Sequence, residues 1–425
     1  MKKIKTFMLA LALFGIILFP IQASGKKDAG ASSPAAGTKT VSQTGGGASQ
    51  PKVSTYIRTW PLGLGADVDN GEHWTADMIH GEYLTDIIIA FALIDQTDLS
   101  SIYVKDMIDQ ESELTPGLTV PGFSDLWQQT TALKQKFPEL KINLSVGGYK
   151  AEFTHTADDA DKRAKFIANV CEWLKVFDLD GIDIDWEYPV GPDWGAEIET
   201  QPADRNNYIL LLSELRASLD QLGQSTGKRY GLSVAVPASP WFCEKNRAKD
   251  AAKIVDVFKL MAYDYYGGWN KTTGHHANLR KADGDPEWGG WSTAQAVRAF
   301  LQAGVPSEKI ILGVGFYGHA WEGVSEGERH GLFQQYERVS PLDGLGWDKI
   351  KPLLDPGSGY TRYWDDTAKA PYLYDGDTFI SYTDTEAIGY ITEYVKQLKL
   401  GGVFAWEYAH DIGGELPRAL SENLR

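Results

Sequence analysis

Asp180-Gly-Ile-Asp-Ile-Asp-Trp-Glu-Tyr-Pro189 is the stretch of this 425-residue chain that constrains its fold most strongly. In an extended strand, successive side chains point to opposite faces. Asp183, Asp185 and Glu187 therefore share one face, while the two isoleucines and the tryptophan between them share the other. The apolar face can pack against helices. The pattern thus predicts a strand whose acidic face points into the interior of a closed sheet and rises toward its open end.

The three carboxylates on this face also indicate a chemistry. Carboxylates roughly 6 to 7 Å apart along a poorly solvated strand face cannot all be ionised comfortably, so at least one keeps its proton near neutral pH. A carboxyl group of that kind is suited to general acid catalysis. One alternative is a row of solvated carboxylates on an exposed edge, which the alternation with isoleucine and tryptophan disfavours. Another is a divalent cation site, but neither EF-hand spacing nor a His-x-x-x-His pattern is present, and we predict no metal.

The rest of the chain repeats a strand-and-helix pattern. From residue 52 onward, short apolar runs alternate with longer amphipathic stretches, which is typical of α/β folds. Eight such units predict a (β/α)8 TIM barrel, and a doubly wound open sheet is the alternative. The strand candidates are Thr55–Trp60, Asp86–Leu93, Lys141–Gly148, Asp180–Glu187, Tyr230–Ala238, Val257–Asp264, Lys309–Phe316 and Gly401–Tyr408.

Helices are predicted between these strands. Apolar residues spaced by three and four positions, with charged residues between them, indicate one amphipathic helix. That stripe consists of Ala164, Ile167, Cys171 and Leu174. Residues that commonly cap helices precede or begin several others. The predicted starts are at Asp125, Asp204, Ser292 and Asp384.

One connection is too long to be a turn. The segment between the seventh strand candidate and the helix near Asp384 is rich in tyrosine, tryptophan, glycine and proline. Its runs Tyr360–Trp364 and Ala370–Tyr374 have strand character, so we interpret Ala320–Thr383 as a small α+β insertion into the catalytic unit of residues 52–425. In a barrel, this insertion leaves from the carboxyl end of a strand, where barrel active sites lie, and it would form one wall of a cleft.

The N-terminal residues predict export. Three lysines, the apolar run Phe7–Ile21 and the small residues that follow it are typical of a signal peptide over residues 1–25. An uncleaved anchor is the alternative. Residues 26–51 have few large apolar side chains and are predicted to be a flexible linker. No later run reaches the ~18 apolar residues of a membrane span, so we expect a secreted or cell-envelope protein without a span in the mature chain.

Composition excludes several classes of function. With 41 basic and 57 acidic residues, the formal net charge is 41 − 57 = −16, which argues against nucleic acid as a partner. Cys171 and Cys243 are the two cysteines, too few for a disulfide scaffold or a CxxC metal site, and a bridge between them stays open. Aromatic residues make up 12% of the chain, enough to line a surface that stacks on flat ligands. We expect a monomer without cofactor.

The acidic strand resembles the signature of glycoside hydrolase family 18, the chitinases, which reads Asp-Gly-x-Asp-x-Asp-x-Glu. The resemblance extends over nearly all of residues 52–425 and is closest to the subgroup with an insertion after the seventh strand. Three further motifs occur in the order found in the family. They are Ser145-Val-Gly-Gly148, Met261-Ala-Tyr-Asp264 and Gly401-Gly-Val-Phe-Ala-Trp406.

This resemblance implies a retaining hydrolysis of β-1,4 bonds between N-acetylglucosamine units of chitin, in which the acetamido oxygen of the substrate is the nucleophile. Glu187 would protonate the glycosidic oxygen and later activate water. Asp185 would orient the acetamido N–H group and stabilise its developing positive charge. Asp183 would share a proton or hydrogen bond with Asp185. Tyr263 would donate its hydroxyl to the acetamido oxygen.

Substrate contacts are implied at further positions. Asp264 is expected to bind a sugar hydroxyl. Aromatic rings bind the apolar faces of sugars, and the expected platforms are Trp406, Trp269, Tyr56 and Phe91. Core packing is the alternative for each of these aromatic residues.

Two histidine positions stand apart from the motifs. His319 occupies the place where the family commonly has arginine, which puts a long cationic contact in doubt. The adjacent pair His275-His276 has no evident third partner and is interpreted as part of a solvated turn. Two other functions stay open: an endo-β-N-acetylglucosaminidase acting on N-glycans, and a chitin-binding lectin without catalysis.

Overall fold

The computed structural model describes residues 50–63, 71–112, 117–149, 151–192, 198–286 and 291–425. The predicted signal peptide, residues 1–25, and all but the last two residues of the predicted linker lie outside the described residues. Within the described ranges, no helix combines the length and the apolar character needed to cross a bilayer.

Eight parallel strands in the described part of the chain close into a barrel. The first strand pairs with both the second and the eighth, so the sheet has no free edge. The predicted (β/α)8 barrel is therefore confirmed, and the open sheet is excluded. In chain order, the barrel strands are Lys52–Arg58, Asp86–Ile94, Lys141–Tyr149, Gly181–Glu187, Gly231–Pro237, Val257–Met261, Ile310–Gly315 and Gly402–Trp406.

Helices surround this barrel. Ser292 and Asp384 cap the N-termini of two of them, each with its side chain accepting a backbone N–H, as their residue types predict. Asp125 directly precedes a third helix, and Asp204 is the first residue of a fourth. The α-helices are Leu126–Lys136, Thr154–Asp158, Ala160–Val176, Asp204–Thr226, Pro240–Lys245, Ala248–Ala251, Thr293–Ala303, Trp347–Ile350, Thr385–Leu398 and Glu415–Leu424.

The predicted apolar stripe of helix Ala160–Val176 was partly wrong. Ala164 is exposed and Cys171 is half-buried, whereas Arg163 is buried on the inner face. The Arg163 guanidinium lies 2.7 Å from the Glu214 carboxylate on a neighbouring helix, which makes its burial tolerable. A stripe defined by apolar residues alone cannot include a buried arginine. Cys171 and Cys243, half-buried, are free thiols.

The fourth barrel strand has the predicted alternation. Ile182, Ile184 and Trp186 are buried on the outer face. The Trp186 ring stacks on Phe153 at 5.3 Å and meets Tyr208 of the helix that follows the strand. The apolar half of the motif therefore fixes the strand against its helices, and the acidic half points into the barrel.

Gly147, on the third strand, permits the close approach of these two strands. Its φ is +129°, and a Cβ atom there would lie 2.0 Å from the carbonyl oxygen of Asp185. No larger residue fits this position without moving the acidic strand.

A second sheet is formed by the part of the chain that connects the seventh barrel strand to the helix before the eighth. It is antiparallel, and its first strand begins at His319, four residues after the seventh barrel strand ends. The runs predicted as strands at 360–364 and 370–374 form its hairpin. Its strands are His319–Glu322, Arg338–Val339, Thr361–Asp365, Ala370–Tyr374 and Phe379–Ser381.

Smaller elements complete the described structure. Ile102–Tyr103 pairs antiparallel with the end of the second barrel strand, and Gln110–Glu111 pairs with Thr119–Val120. Short 3-10 helices connect several strands. They are Ala76–Met78, Gly81–Tyr83, Lys105–Met107, Ser307–Lys309, Lys351–Leu354 and Tyr408–Asp411.

Candidate active site

A cleft opens at the carboxyl ends of the barrel strands. One part, of about 710 Å³, is lined by Asp185, Glu187 and Tyr263 together with aromatic rings. A second part, of about 500 Å³, shares Glu187 and Tyr263 and continues to Trp241 and Trp291. The cleft therefore extends to both sides of Glu187, as a site for a chain-like ligand requires.

Asp183 lies at the bottom of the site and is fully buried. One carboxylate oxygen accepts hydrogen bonds from Ser233 Oγ and Lys259 Nζ, both at 2.6 Å. The other accepts from Tyr56 Oη at 2.6 Å and from Ser145 Oγ at 2.9 Å. Four donors thus satisfy this carboxylate.

Strand register explains why these donors meet. Asp183 is paired with Ser145 of the third strand and with Ser233 of the fifth. Lys259 is on the sixth strand, one strand further on, and its side chain is 2% exposed. Burial raises the pKa of Asp183, but the Lys259 charge and the hydrogen bonds outweigh burial and lower the pKa below its ordinary value. Asp183 is therefore an anion.

Asp185, the next acidic residue toward the carboxyl end of the strand, is a neutral acid. It is 4% exposed, and its Oδ1 atom has no hydrogen-bond partner among the described residues. Burial, followed by the charges of Glu187 and Asp183, raises the pKa of Asp185 well above its ordinary value. The shared proton or hydrogen bond expected between Asp183 and Asp185 stays a prediction, and the charge of Asp183 acts on Asp185 through space.

Glu187 is at the top of the acidic face and borders both parts of the cleft. Burial and then the nearby charge of Asp264 raise the pKa of Glu187 to about 7, although a hydrogen bond with Tyr188 acts in the other direction. A carboxyl with this pKa can both give and take a proton near neutrality.

Tyr263 follows the sixth strand and is 8% exposed. Burial, followed by the charges of Asp264, Asp185 and Glu187, raises its pKa well above the ordinary value. The phenol therefore stays neutral and keeps its proton for a hydrogen bond into the cleft.

Asp264 faces the cleft with 44% of its side chain exposed and is held by the rim of the second sheet. His319 Nε2 donates to Asp264 Oδ1 at 3.0 Å, and Tyr317 Oη donates to the same oxygen. Partial desolvation in the cleft raises the pKa of Asp264, but the imidazoles of His276 and His319 beside it outweigh this effect and hold the pKa far below the ordinary value.

His319 retains a positive charge at the position where arginine was expected. Its Nδ1 atom donates to Asp343 at 2.8 Å, while Nε2 donates to Asp264. Burial opposes the charge, but these two hydrogen bonds outweigh it and raise the pKa of His319 to about 9. The substitution therefore shortens the cationic side chain without removing its charge.

The prediction that His275-His276 forms a solvated turn was wrong. His275 is 2% exposed, and its Nε2 lies 3.1 Å from Asp365 Oδ2 on the second sheet. His276 is fully buried, and its Nδ1 lies 4.0 Å from Asp264 Oδ1. The second sheet covers both rings, and the sequence pattern around them does not indicate this burial.

The expected aromatic platforms occupy different depths. Trp269 is 65% exposed, beside the ring of His319 at 5.5 Å. Trp406 and Phe91 are half-buried and stack on each other at 5.7 Å. Tyr56 is 1% exposed and donates to Asp183. All four rings line the cleft, with Tyr56 at its floor.

Lys259 and Ser233 are the residues of the acidic network that our sequence reasoning missed. A signal for Lys259 exists, because it lies two and four positions before Met261 and Tyr263 and so shares their inward face. Asp180, the first residue of the motif, lies at the opposite end of the strand. Its carboxylate is 3.0 Å from both Lys134 and Lys228, in a structural ion-pair cluster.

Known proteins resemble this chain over most of the barrel. Residues 66–411 match the family described as Glycosyl hydrolases family 18. The chain is 36% identical over 335 residues to Chitinase A1 of Niallia circulans, covering 72% of this chain and 47% of that protein. It is 34% identical over 295 residues to Chitinase 1 of Aphanocladium album, and the match covers 66% of this chain and 64% of that protein. The chain thus spans between about half and two thirds of these curated relatives.

A solved structure gives a similar result over a more complete length. It is described as a novel glycoside hydrolase family 18 N-acetylglucosaminidase from Paenibacillus barengoltzii. The TM-score is 0.73 and the sequence identity 32%, with 88% of this chain and 99% of that chain covered.

We expect Lys259→Met to destabilise the fold, because Asp183 would become a buried charge without its counter-ion. The expected loss in the free energy of unfolding is about 3–5 kcal/mol, measured by urea unfolding at neutral pH. Lys253→Met removes a surface partner of Asp250 and should leave the free energy of unfolding close to the wild-type value. Adding Asp183→Asn to Lys259→Met should restore part of the loss. Wild-type stability of Lys259→Met would contradict this account.

Proposed function

Because the chain belongs to glycosyl hydrolases family 18, we propose that it is a glycoside hydrolase that cleaves β-1,4 bonds between N-acetylglucosamine units of chitin. The observation that carries the proposal is a pair of carboxyls, the buried Asp185 and the half-buried Glu187, which line an aromatic-lined cleft and have raised pKa values. The names of the two curated relatives support chitin as the substrate.

Glu187 serves as the general acid and base. Its pKa of about 7 leaves a large fraction protonated at neutral pH, so it can give a proton to the glycosidic oxygen. Once the proton has left, the same carboxylate can activate the water that completes hydrolysis. The position of Glu187 between the two parts of the cleft supports this role, because the scissile bond needs sugar units on both sides.

Asp185 and Tyr263 position the acetamido group of the substrate. The unpartnered Oδ1 atom of Asp185 is an acceptor for the amide N–H. The neutral Tyr263 phenol is a donor for the amide oxygen. Held between these two groups, the amide oxygen lies where it can attack the anomeric carbon, so that proximity replaces a protein nucleophile. The fixed negative charge of Asp183 beneath them favours the positive charge that develops on the amide.

Release of single N-acetylglucosamine units is the second candidate activity. It is favoured by the similarity to the N-acetylglucosaminidase from Paenibacillus barengoltzii, of which 99% is covered. Endo-acting cleavage of N-glycans and sugar binding without catalysis are weaker alternatives. The second sheet beside the cleft argues against the first of these, and the presence of Glu187 argues against the second.

We also propose that the enzyme is exported and acts as a monomer without a metal or organic cofactor. Export rests on the signal-peptide pattern of residues 1–25. No step of the proposed mechanism requires a group other than the side chains of the cleft and the substrate.

Glu187→Gln should lower kcat on a chitooligosaccharide by 10²-fold or more, on the order of 10²–10⁴-fold, because the amide cannot transfer the proton. Affinity for the oligosaccharide should be retained. Steady-state kinetics and calorimetric binding measure the two quantities. Glu172→Gln, at an exposed position on an outer helix, is the matched control and should have wild-type kcat. Near-full turnover by Glu187→Gln would reject Glu187 as the acid.

The pH profile should reflect the raised pKa of Glu187. The acid form is needed for the first step, so kcat/KM should fall above about pH 7, up to tenfold per pH unit. A glutamate with an ordinary pKa would lose activity from about pH 4.3 instead. Rates measured from about pH 4 to about pH 10 separate the two cases. A fall in kcat/KM that begins at about pH 4.3 would show that the cleft does not raise the pKa of Glu187.

The stereochemistry and the substrate range test the acetamido mechanism directly. Two displacements at one carbon preserve configuration, so NMR of the first product should detect the β-anomer. Cellulose oligomers, which lack the acetamido group, should be inert. Early α-anomer, or rapid cleavage of cellulose oligomers, would exclude the mechanism. Product lengths from chitin and from a glycoprotein then distinguish internal cleavage, single-unit release and N-glycan release.

A further inference from the structure

A cluster of metal-ligating groups lies beside the acidic strand. Asp264, His276 and His319 each offer one ligand atom, and the three atoms lie within 4.8 Å of one another. His319 Nε2 is 3.0 Å from Asp264 Oδ1, and His276 Nδ1 is 4.0 Å from the same oxygen. No step of the proposed mechanism uses either histidine.

His276 is the unexplained member of this cluster. Its ring is fully buried, yet neither ring nitrogen has a hydrogen-bond partner within the described ranges. Buried polar atoms normally have partners, because an unpaired one keeps the desolvation cost of its burial uncompensated. The backbone of His276 is fixed on both sides, since its N–H donates to Ser381 Oγ and its carbonyl accepts from Tyr265 N–H, both at 2.9 Å. The unpaired imidazole is therefore held in place beside Asp264.

His319 has the outer partner that metal-binding histidines usually have. Its Nδ1 atom donates to Asp343 at 2.8 Å, which orients the ring and leaves Nε2 directed at Asp264. Carboxylates behind a ligand histidine fix the ring orientation and strengthen the ligand.

We propose that Asp264, His276 and His319 form a binding site for a divalent transition-metal ion of the zinc class. Ligand atoms about 2.0–2.2 Å from a tetrahedral Zn²⁺ lie roughly 3.3–3.6 Å apart. The two separations from Asp264 Oδ1, 3.0 and 4.0 Å, fall on either side of that range. Two imidazoles and one carboxylate favour zinc-class ions over Mg²⁺ or Ca²⁺, which prefer oxygen ligands.

Binding has a simple proton balance and an open route. The ion takes the place of the proton that His319 Nε2 donates to Asp264, and that proton leaves to solvent. The Nδ1 proton stays on its hydrogen bond to Asp343. Because 44% of the Asp264 side chain is exposed to the cleft, the ion can enter from there, and water can fill the fourth position.

The bound ion would inhibit the enzyme. It would engage the Asp264 carboxylate, an expected sugar contact, and place positive charge on the wall of the cleft that borders Glu187. This consequence rests on the proposed function, whereas binding of the ion does not.

Calorimetric titration of Zn²⁺ alone into the chelator-treated full chain tests the site without any substrate. We expect one strong site per chain, and Co²⁺ should give the visible absorption of four-coordinate cobalt. His276→Gln and His319→Arg should each lower Zn²⁺ affinity by more than the roughly 10- to 100-fold that loss of an outer partner costs. His80→Gln, at a half-exposed histidine beside Glu82, is the control and should bind like wild type. Thermal unfolding without metal verifies the fold of each variant.

Absence of the strong site in the wild type, or full binding by either folded cleft variant, would overturn the proposal. If His276→Gln does not fold, His319→Arg alone decides the outcome. In a separate assay, Zn²⁺ should raise KM for a chitooligosaccharide in the wild type and the His80→Gln control but not in His276→Gln. Tight binding without any effect on hydrolysis would reject inhibition and keep the site. A chain inactive on chitin would reject the proposed function, and the binding result would still stand.

Discussion

The ion pair between Asp183 and Lys259 inside the barrel is the interaction on which the site depends. Both side chains are removed from water, so each charge is tolerable only in the presence of the other. Hydrogen bonds from Tyr56, Ser145 and Ser233 complete the shell around the carboxylate. Four other strands, the first, third, fifth and sixth, thereby attach to the acidic strand at one point. The interior of this barrel is held by a polar network at the level where an apolar layer would otherwise pack.

This fixed charge organises the groups above it. Asp185 lies between the Asp183 anion and Glu187, so it can ionise only against two like charges and the cost of burial. Glu187 is nearer to solvent. After burial, the charge of Asp264 is the main influence on its pKa, which is about 7. The strand thus carries an anion, a neutral acid and a group poised for proton transfer in order toward its carboxyl end. Residues of one chemical type acquire three different states from position alone.

Much of this arrangement follows from the sequence. Alternation within residues 180–189 predicts the inward face, and the spacing of apolar runs predicts the barrel, because both depend on local periodicity. The partners of Asp183 depend on strand register, which local patterns do not specify, and so Lys259 was missed. The burial of His276 depends on a sheet that is inserted later in the chain and covers it. The cis peptide bonds at Ala90–Phe91, Glu187–Tyr188 and Trp406–Glu407 likewise have no sequence signal.

The two adjacent histidines join the barrel to the second sheet at two separate points. His275 contacts Asp365 on the hairpin, and the backbone N–H of His276 donates to Ser381 Oγ on the last strand. With two contacts from one dipeptide, the second sheet cannot rotate about either contact alone. The wall of the cleft that carries His319 is consequently anchored to the barrel at two points.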